Sequence, residues 1–265
     1  MQKYKDELKI KKREKIIFQF ALFGFVSVVG LIGLTYLLFF SRLLDVRDVK
    51  IEVADGLRAD LSKYVDGWLD LGFWNINKRD NILFFSADKL SSHLASQFPK
   101  LESVKISKKL PHSLFISSDE RKPAGIWCSA VENECYYFDK NGVAFSKTQP
   151  SSGFLIINVF DYRQDKNIEL GNMVTDEAWL KEIIDAHELL NRAGINIAAF
   201  EIPADSFDEF HVKTAENWKI MFSIQTNVEK QISALITFLK EKIRPDQRSS
   251  LQYVDLRIQD RIYYK

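Results

Sequence analysis

The sequence predicts an α+β protein carried on one transmembrane helix, and three observations predict it. An uncharged apolar run lies near the N-terminus, from Ile16 to Phe40. It is followed by apolar periodicities in the order β-α-α-β-β, then by a longer stretch of short strands interrupted by two helical patterns. Ordinary globular composition completes the case: 46% of residues are hydrophobic and 28% charged. That balance disfavours bulk disorder and fibrous classes. A net charge of +1 offers no basic stripe able to displace nucleic-acid counterions, so no nucleic-acid partner is expected.

Within the apolar run only Gln19, Ser27, Thr35 and Tyr36 bear polar side-chain groups. At about 1.5 Å per residue the helix reaches roughly 37 Å, more than the ~30 Å hydrocarbon core. A cleaved signal sequence would have a shorter apolar region ending in small residues. Here the run ends in Leu37-Leu38-Phe39-Phe40-Ser41-Arg42, so a retained anchor with ends at Ile16 and Phe40 is expected. Lys3, Lys5, Lys9, Lys11, Lys12, Arg13 and Lys15 crowd residues 1–15, against a sparser Arg42, Arg47 and Lys50 beyond the exit. The positive-inside rule makes 1–15 a cytoplasmic basic tail with some attraction for plasma-membrane lipid, and puts the rest outside.

In the outer portion, Val46 to Val53 alternates as a strand and ends at Asp55-Gly56. Leu57, Leu61, Tyr64, Val65, Trp68 and Leu69 recur at helical spacing up to a stop near Gly72. Ser86 is placed to cap a second helix with Leu90, Leu94 and Phe98 on its apolar stripe, closed by Pro99. Two strands around Val104-Lys105-Ile106 and Leu114-Phe115-Ile116 flank the turn Lys108 to His112. Then come short strands at 124–128, 135–139, 143–145 and 154–159, with turn chemistry at Asp139-Lys140-Asn141-Gly142. A helix over 176–193 stops at Gly194, strands resume near Ile197, Phe210 and 218–224, and a helix over 228–243 ends at Pro245. Strands over 251–258 and 261–265 close the chain.

These residues resemble the FtsQ/DivIB family of bacterial cell-division proteins. Val49 to Gly56 looks like the opening strand of that family's POTRA domain. Leu101 to Ile106, leading through Leu110-Pro111-His112-Ser113-Leu114 to Asp119-Glu120-Arg121-Lys122-Pro123, resembles the POTRA hairpin and its E-R-x-P exit. Tyr137 to Phe145 is similar to the D-x-x-G-x-x-F turn that opens the β-domain, and Tyr253-Val254-Asp255-Leu256-Arg257 to the closing strand. The resemblance implies a POTRA domain over 45–120 and an FtsQ-type β-domain over 123–265. It also implies a plasma-membrane, single-pass divisome protein at the division septum, holding FtsB/FtsL-like bitopic partners at the end of the β-domain. The rival reading is a POTRA-bearing component of polypeptide translocation or envelope protein assembly, for which no POTRA repeat or barrel is apparent.

No G-x-S-x-G, H-E-x-x-H, P-loop or G-x-G-x-x-G motif occurs, and His93, His112, His187 and His211 are too dispersed for a compact metal site. No enzyme activity, metal, cofactor or small-molecule substrate is therefore expected. Asp119-Glu120 reads as a solvated strand end paired with Arg121 or Lys122. Cys128 and Cys135 are the only cysteines and do not form C-x-x-C. They flank a loop between two strands, so either a hairpin disulfide or two buried thiols fits, and the disulfide is the reading adopted. The best functional candidate is the carboxyl-terminal strand, whose edge no later segment covers. There Ile262 and Tyr264 point one way and Arg261, Tyr263 and Lys265 the other. An uncovered edge accepts a partner strand through its main chain. With the resemblance, Arg257, Ile258, Arg261, Ile262, Tyr263 and Tyr264 are the partner-binding candidates.

Overall fold

A computed structural model describes residues 2–40, 42–70, 81–130, 133–151, 156–163 and 167–265. It is an α+β protein with an N-terminal apolar helix. Two compact units are present: Met1–Leu94 with Val104–Ser118, and Ala95–Ser103 with Asp119–Lys265.

In the first unit, α1 (Gln2–Phe40) is one unbroken helix. The basic stretch expected as a separate tail continues it, in keeping with the helix propensity of its Lys, Glu and Gln residues. Its apolar part, Phe18–Leu38, none of it buried, has 21 residues, roughly 32 Å of helix. Strand β1 (Asp48–Glu52), helices α2 (Asp55–Asp70) and α3 (Ala87–Gln97), and strands β2 (Leu101–Lys109) and β3 (Ser113–Glu120) follow, of which residues 95–97, 101–103 and 119–120 are grouped with the second unit. The sheet order is β1-β3-β2, with β1 parallel to β3. Alternation buries Leu114 and Ile116 on β3, while α2 buries Leu61, Val65 and Trp68, and α3 buries Leu90 and Leu94. One buried face of a sheet against two one-stripe helices is the usual outcome of such patterns. Ser86 accepts the Lys89 N–H at 3.4 Å in front of α3. The stop anticipated near Gly72 lies outside the described residues.

The second unit is a nine-stranded mixed sheet with two helices. Its strands are β4 (Gly125–Ser129), β5 (Glu134–Phe138), β6 (Ala144–Thr148), β7 (Ile157–Asp161), β8 (Ile197–Ile202), β9 (Glu209–Thr214), β10 (Lys219–Ser223), β11 (Tyr253–Asp255) and β12 (Tyr263–Tyr264). Helix α4 (Glu177–Arg192) connects the parallel pair β7 and β8, and α5 (Val228–Lys242) connects the parallel pair β10 and β11. The order is β12-β11-β10-β9-β8-β7-β4-β5-β6. The core joins Trp179, Ile183 and Leu190 of α4 and Ile232, Leu235 and Leu239 of α5 to Trp127, Phe200, Phe210 and Phe222 of the sheet. Gln231 fixes α5 to β10. Its amide accepts from the Ser223 N–H at 3.1 Å and donates to the Ser223 and Thr226 carbonyls at 2.7 and 3.0 Å. Of the strand expected over 154–159, residues 154–155 lie outside the described residues, and β7 runs on to Asp161.

The closing strands are shorter than the sequence suggests. Pro245–Ser250 forms a 3-10 helix, because proline at a helix start needs no N–H partner. Strand β11 stops at Asp255, whose side chain accepts the Arg257 N–H at 3.0 Å and turns the chain out of the sheet. Asp260, at φ 60°, reverses it again.

Candidate partner-binding edge

Strand β12 is an edge strand of the nine-stranded sheet, paired antiparallel to β11 in the register Val254↔Tyr264 and Asp255↔Tyr263. Lys265 donates to the Tyr253 carbonyl at 3.2 Å and accepts from the N–H groups of Gln252 and Tyr253 at 2.6 and 3.4 Å. Tyr253 and Lys265 therefore form a pair that exchanges both bonds. In an antiparallel ladder such pairs alternate with pairs that exchange none. Tyr264 belongs to the second kind, so its N–H and C=O are directed away from β11, across the sheet edge.

The side chains divide by face. Tyr264 lies over Phe238 of α5, ring centroids 4.8 Å apart, yet keeps 53% of its surface exposed. Ile262 packs partly against the core, and Ile258 and Tyr263 are exposed. Between the 256–262 loop and the start of α5 lies a groove of about 410 Å³, lined among others by Thr226, Lys230, Ala234, Ile258, Arg261 and Ile262. All six sequence-predicted contact residues lie on this loop and edge, five of them with side chains not tied into the ion-pair cluster beside it. The sixth, Arg257, is committed internally. It donates to both oxygens of Asp255 at 2.9 and 2.7 Å and to Glu209 at 2.6 Å. These bonds, to Asp255 first and Glu209 second, raise its pKa further above its ordinary value. Burial alone would push the Asp255 carboxyl up, but the Arg257 bonds outweigh it and hold it below its usual value. His211, half-buried beside this cluster, is shifted down, first by burial. Its Nε2 is 3.4 Å from a Glu209 oxygen without hydrogen-bond geometry.

Sequence reasoning missed this clamp, although a signal existed. Asp161-Tyr162-Arg163 repeats Asp255-Leu256-Arg257 at the end of β7. There the Arg163 N–H, Nε and Nη2 reach Asp161 at 3.1, 2.9 and 2.7 Å, and the guanidinium lies 4.6 Å over Trp179. An Asp-x-Arg after an apolar strand combines a strand-ending Asx turn with a bidentate ion pair. Of the two cations, Arg121 or Lys122, expected to pair with Asp119-Glu120, Arg121 reaches other partners. It pairs with buried Asp139 and donates to the Pro99 carbonyl at 2.8 Å. Asp139 also accepts the Asn141 and Val143 N–H groups at 3.0 and 2.9 Å, so the E-R-x-P and D-x-x-G stretches meet at one carboxylate. Cys128 and Cys135 are directly opposed on β4 and β5 and joined by a disulfide, Cα atoms 4.0 Å apart, on the sheet face with Ile126.

The described residues thus comprise an apolar helix long enough to cross a membrane and two α+β units, the second of which ends in a sheet edge. No protein-family model matches the chain. It is similar to the cell division protein FtsQ of Rickettsia typhi, 33% identical over 92 residues, 34% of each chain. It is similar also to the cell division protein DivIB of Clostridium botulinum strain Hall, 28% identical over 167 residues, 62% of this chain and 63% of that one. A DivIB from the Loch Maree strain is 24% identical over 165 residues, 62% of this chain and 63% of its own. The chain thus spans between about a third and just under two thirds of the length of these curated relatives. At these identities the matches support the FtsQ/DivIB family.

Proposed function

We propose that the protein is a non-enzymatic divisome scaffold that recruits and positions FtsB/FtsL-like bitopic partners at the division site. The partner strand adds to β12, through the outward N–H and C=O of Tyr264. The single observation that carries this reading is the register of β12, which turns the N–H and C=O of Tyr264 outward at the sheet edge. Main-chain pairing supplies affinity, while Tyr264, Ile262, Ile258 and the groove beside α5 select the partner's side chains. Arg257 holds the loop that delivers them. Similarity to proteins named for cell division supports the role, and the apolar helix supports a membrane anchor. In this reading residues 45–120 form a POTRA domain, residues 123–265 the β-domain, and the basic N-terminus is cytoplasmic. Confinement to one membrane plane raises the partners' effective concentration, so a short strand suffices.

A fluorescent fusion of the full chain, imaged in dividing cells, tests the role, and co-purification tests the site. Midcell enrichment is expected, and Tyr264→Asp or removal of residues 261–265 should abolish capture of a single-span division protein while both units stay folded. Uniform envelope signal with secretion defects on depletion would refute the role, and unchanged capture would refute the edge.

A further inference from the structure

The first unit carries an apolar cluster tied to the outer end of the span. Asn81, 6% exposed, uses both ends of its amide: Nδ2 donates to the Leu38 carbonyl at 2.9 Å, and Oδ1 accepts the Leu83 N–H at 3.0 Å. The Phe84 and Phe85 N–H groups bond back to the Asn81 carbonyl at 3.1 and 2.8 Å, and the Ile82 N–H reaches the Leu44 carbonyl at 2.8 Å. The turn 81–85 is thereby fixed at the level where the apolar run of α1 ends. It presents Leu83 and Phe84, 40% and 57% exposed, with Leu43 at 55% beside it in the chain segment that leaves the helix. The β2–β3 hairpin tip reaches the same end. Lys108 Nζ is 3.5 Å from the Leu83 carbonyl, the Arg47 N–H bonds to the His112 carbonyl at 2.9 Å, and Leu110 is 66% exposed.

Scattered exposed leucines need no explanation, but these four apolar side chains share one end of one unit with charges of both signs: Lys108 beside Leu83, Asp45 bridged to Asn81, and Asp48 paired with His112. That end adjoins the only apolar span among the described residues. Beyond the hydrocarbon core lies a headgroup zone of roughly 5–8 Å on each side. Apolar tips on a mixed charged rim match it: the tips enter the headgroup–acyl boundary, and the charges of both signs stay among the zwitterionic headgroups. We propose that Leu43, Leu83, Phe84 and Leu110 form an interfacial foot, seating the first unit on the phospholipid surface of the membrane that α1 crosses. This rests on reading α1 as a membrane span. The foot fixes the unit's height and limits its tilt about the helix, so the unit is presented as a rigid membrane-bound platform rather than a tethered ball.

The test uses the full chain in phospholipid nanodiscs. Its two native cysteines are joined in the disulfide, so a single added cysteine takes an environment-sensitive fluorophore selectively. Labels go at Leu83→Cys, Leu110→Cys, at Ala54→Cys beyond the opposite end of β1, and at Leu31→Cys within the span. Nitroxide lipids carrying the quencher just below the headgroup should quench positions 83 and 110 about threefold more than position 54, in phosphatidylcholine with or without phosphatidylglycerol. Quenching at 83 and 110 no stronger than at 54, with Leu31→Cys still quenched by a deep-chain nitroxide, overturns the foot alone. Quenching that requires phosphatidylglycerol also overturns it, because apolar insertion would then not be the driving contact. Absence of deep quenching at position 31 overturns the span reading itself.

Discussion

Replacing Arg257 with methionine probes how the edge is held. The guanidinium makes two bonds to Asp255 and one to Glu209, and the side chains are 35%, 13% and 20% exposed respectively. Removing one partner of a fully buried ion pair costs about 3–5 kcal/mol. Here the guanidinium is a third exposed and solvent screens it, so the expected loss is about 2–3 kcal/mol. Methionine retains most of the apolar stem, which isolates the charge and hydrogen bonds from packing. For a unit of this size that loss lowers the melting temperature by roughly 5–10 °C. Thermal unfolding of the full chain in detergent at neutral pH measures it, and backbone hydrogen exchange adds a local reading. The Lys265 N–H, bonded to Tyr253 across β11 and β12, should exchange faster in the variant. Arg257→Lys should recover only part of the stability, because an ammonium cannot reproduce the bidentate fork. A methionine variant within about 0.5 kcal/mol of the parent, with unchanged Lys265 exchange, would refute the clamp.

Three further outcomes follow from the same geometry. Burial shifts His211 down, so its neutral form is favoured in the fold. Its contribution is complete above the unfolded value of about 6.5 and drains as pH falls through 6.5 toward the depressed folded value. His211→Gln should therefore flatten the stability loss as pH falls below about 6.5, and an unaltered slope would contradict the assignment. Arg121→Met strands Asp139, 3% exposed, with only its two backbone donors, for an expected loss of about 2–4 kcal/mol by denaturant unfolding. A loss below about 0.5 kcal/mol would mean the pair is not coupled to folding. Replacing Cys128 and Cys135 together by serine should destabilise by about 2–3 kcal/mol, since the loop closed is short, and equal stability with and without reductant would contradict it.

Much of the fold was legible because its physical cause is local. The helix expected over 176–193 is α4, with the apolar stripe Trp179, Leu180, Ile183 and Leu190, and the helix expected from Val228 starts there, where the structure adds Asn227 accepting the Lys230 N–H at 3.0 Å. The alternation of Ile262 and Tyr264 was equally readable. What escaped depends on distant partners. Asp139 looks like ordinary turn chemistry until Arg121, 18 residues earlier, is brought beside it. Arg257 looks like a free surface cation until β9 supplies Glu209, 48 residues away in sequence. The strand expected over 251–258 failed because periodicity continues through Leu256 and Ile258, whereas the Asp255 side chain captures the Arg257 N–H and ends the ladder. Asn81 is the same kind of case: a polar residue in an apolar segment whose meaning appears only when Leu38 lies against it.

The central claim is that a partner strand bonds to the outward backbone of Tyr264. The most direct measurement replaces the tyrosine at 264 by its α-hydroxy analogue in the full chain, which keeps the side chain and exchanges one N–H for an ester oxygen, and then compares partner affinity with that of the parent. The same exchange at Tyr263, whose N–H faces β11, serves as the control for folding. Strand addition predicts binding weakened about threefold to tenfold by the 264 ester, the value of one hydrogen bond, with thermal stability unchanged. Affinity equal to the parent's, in a chain that unfolds at the parent's temperature, would contradict it.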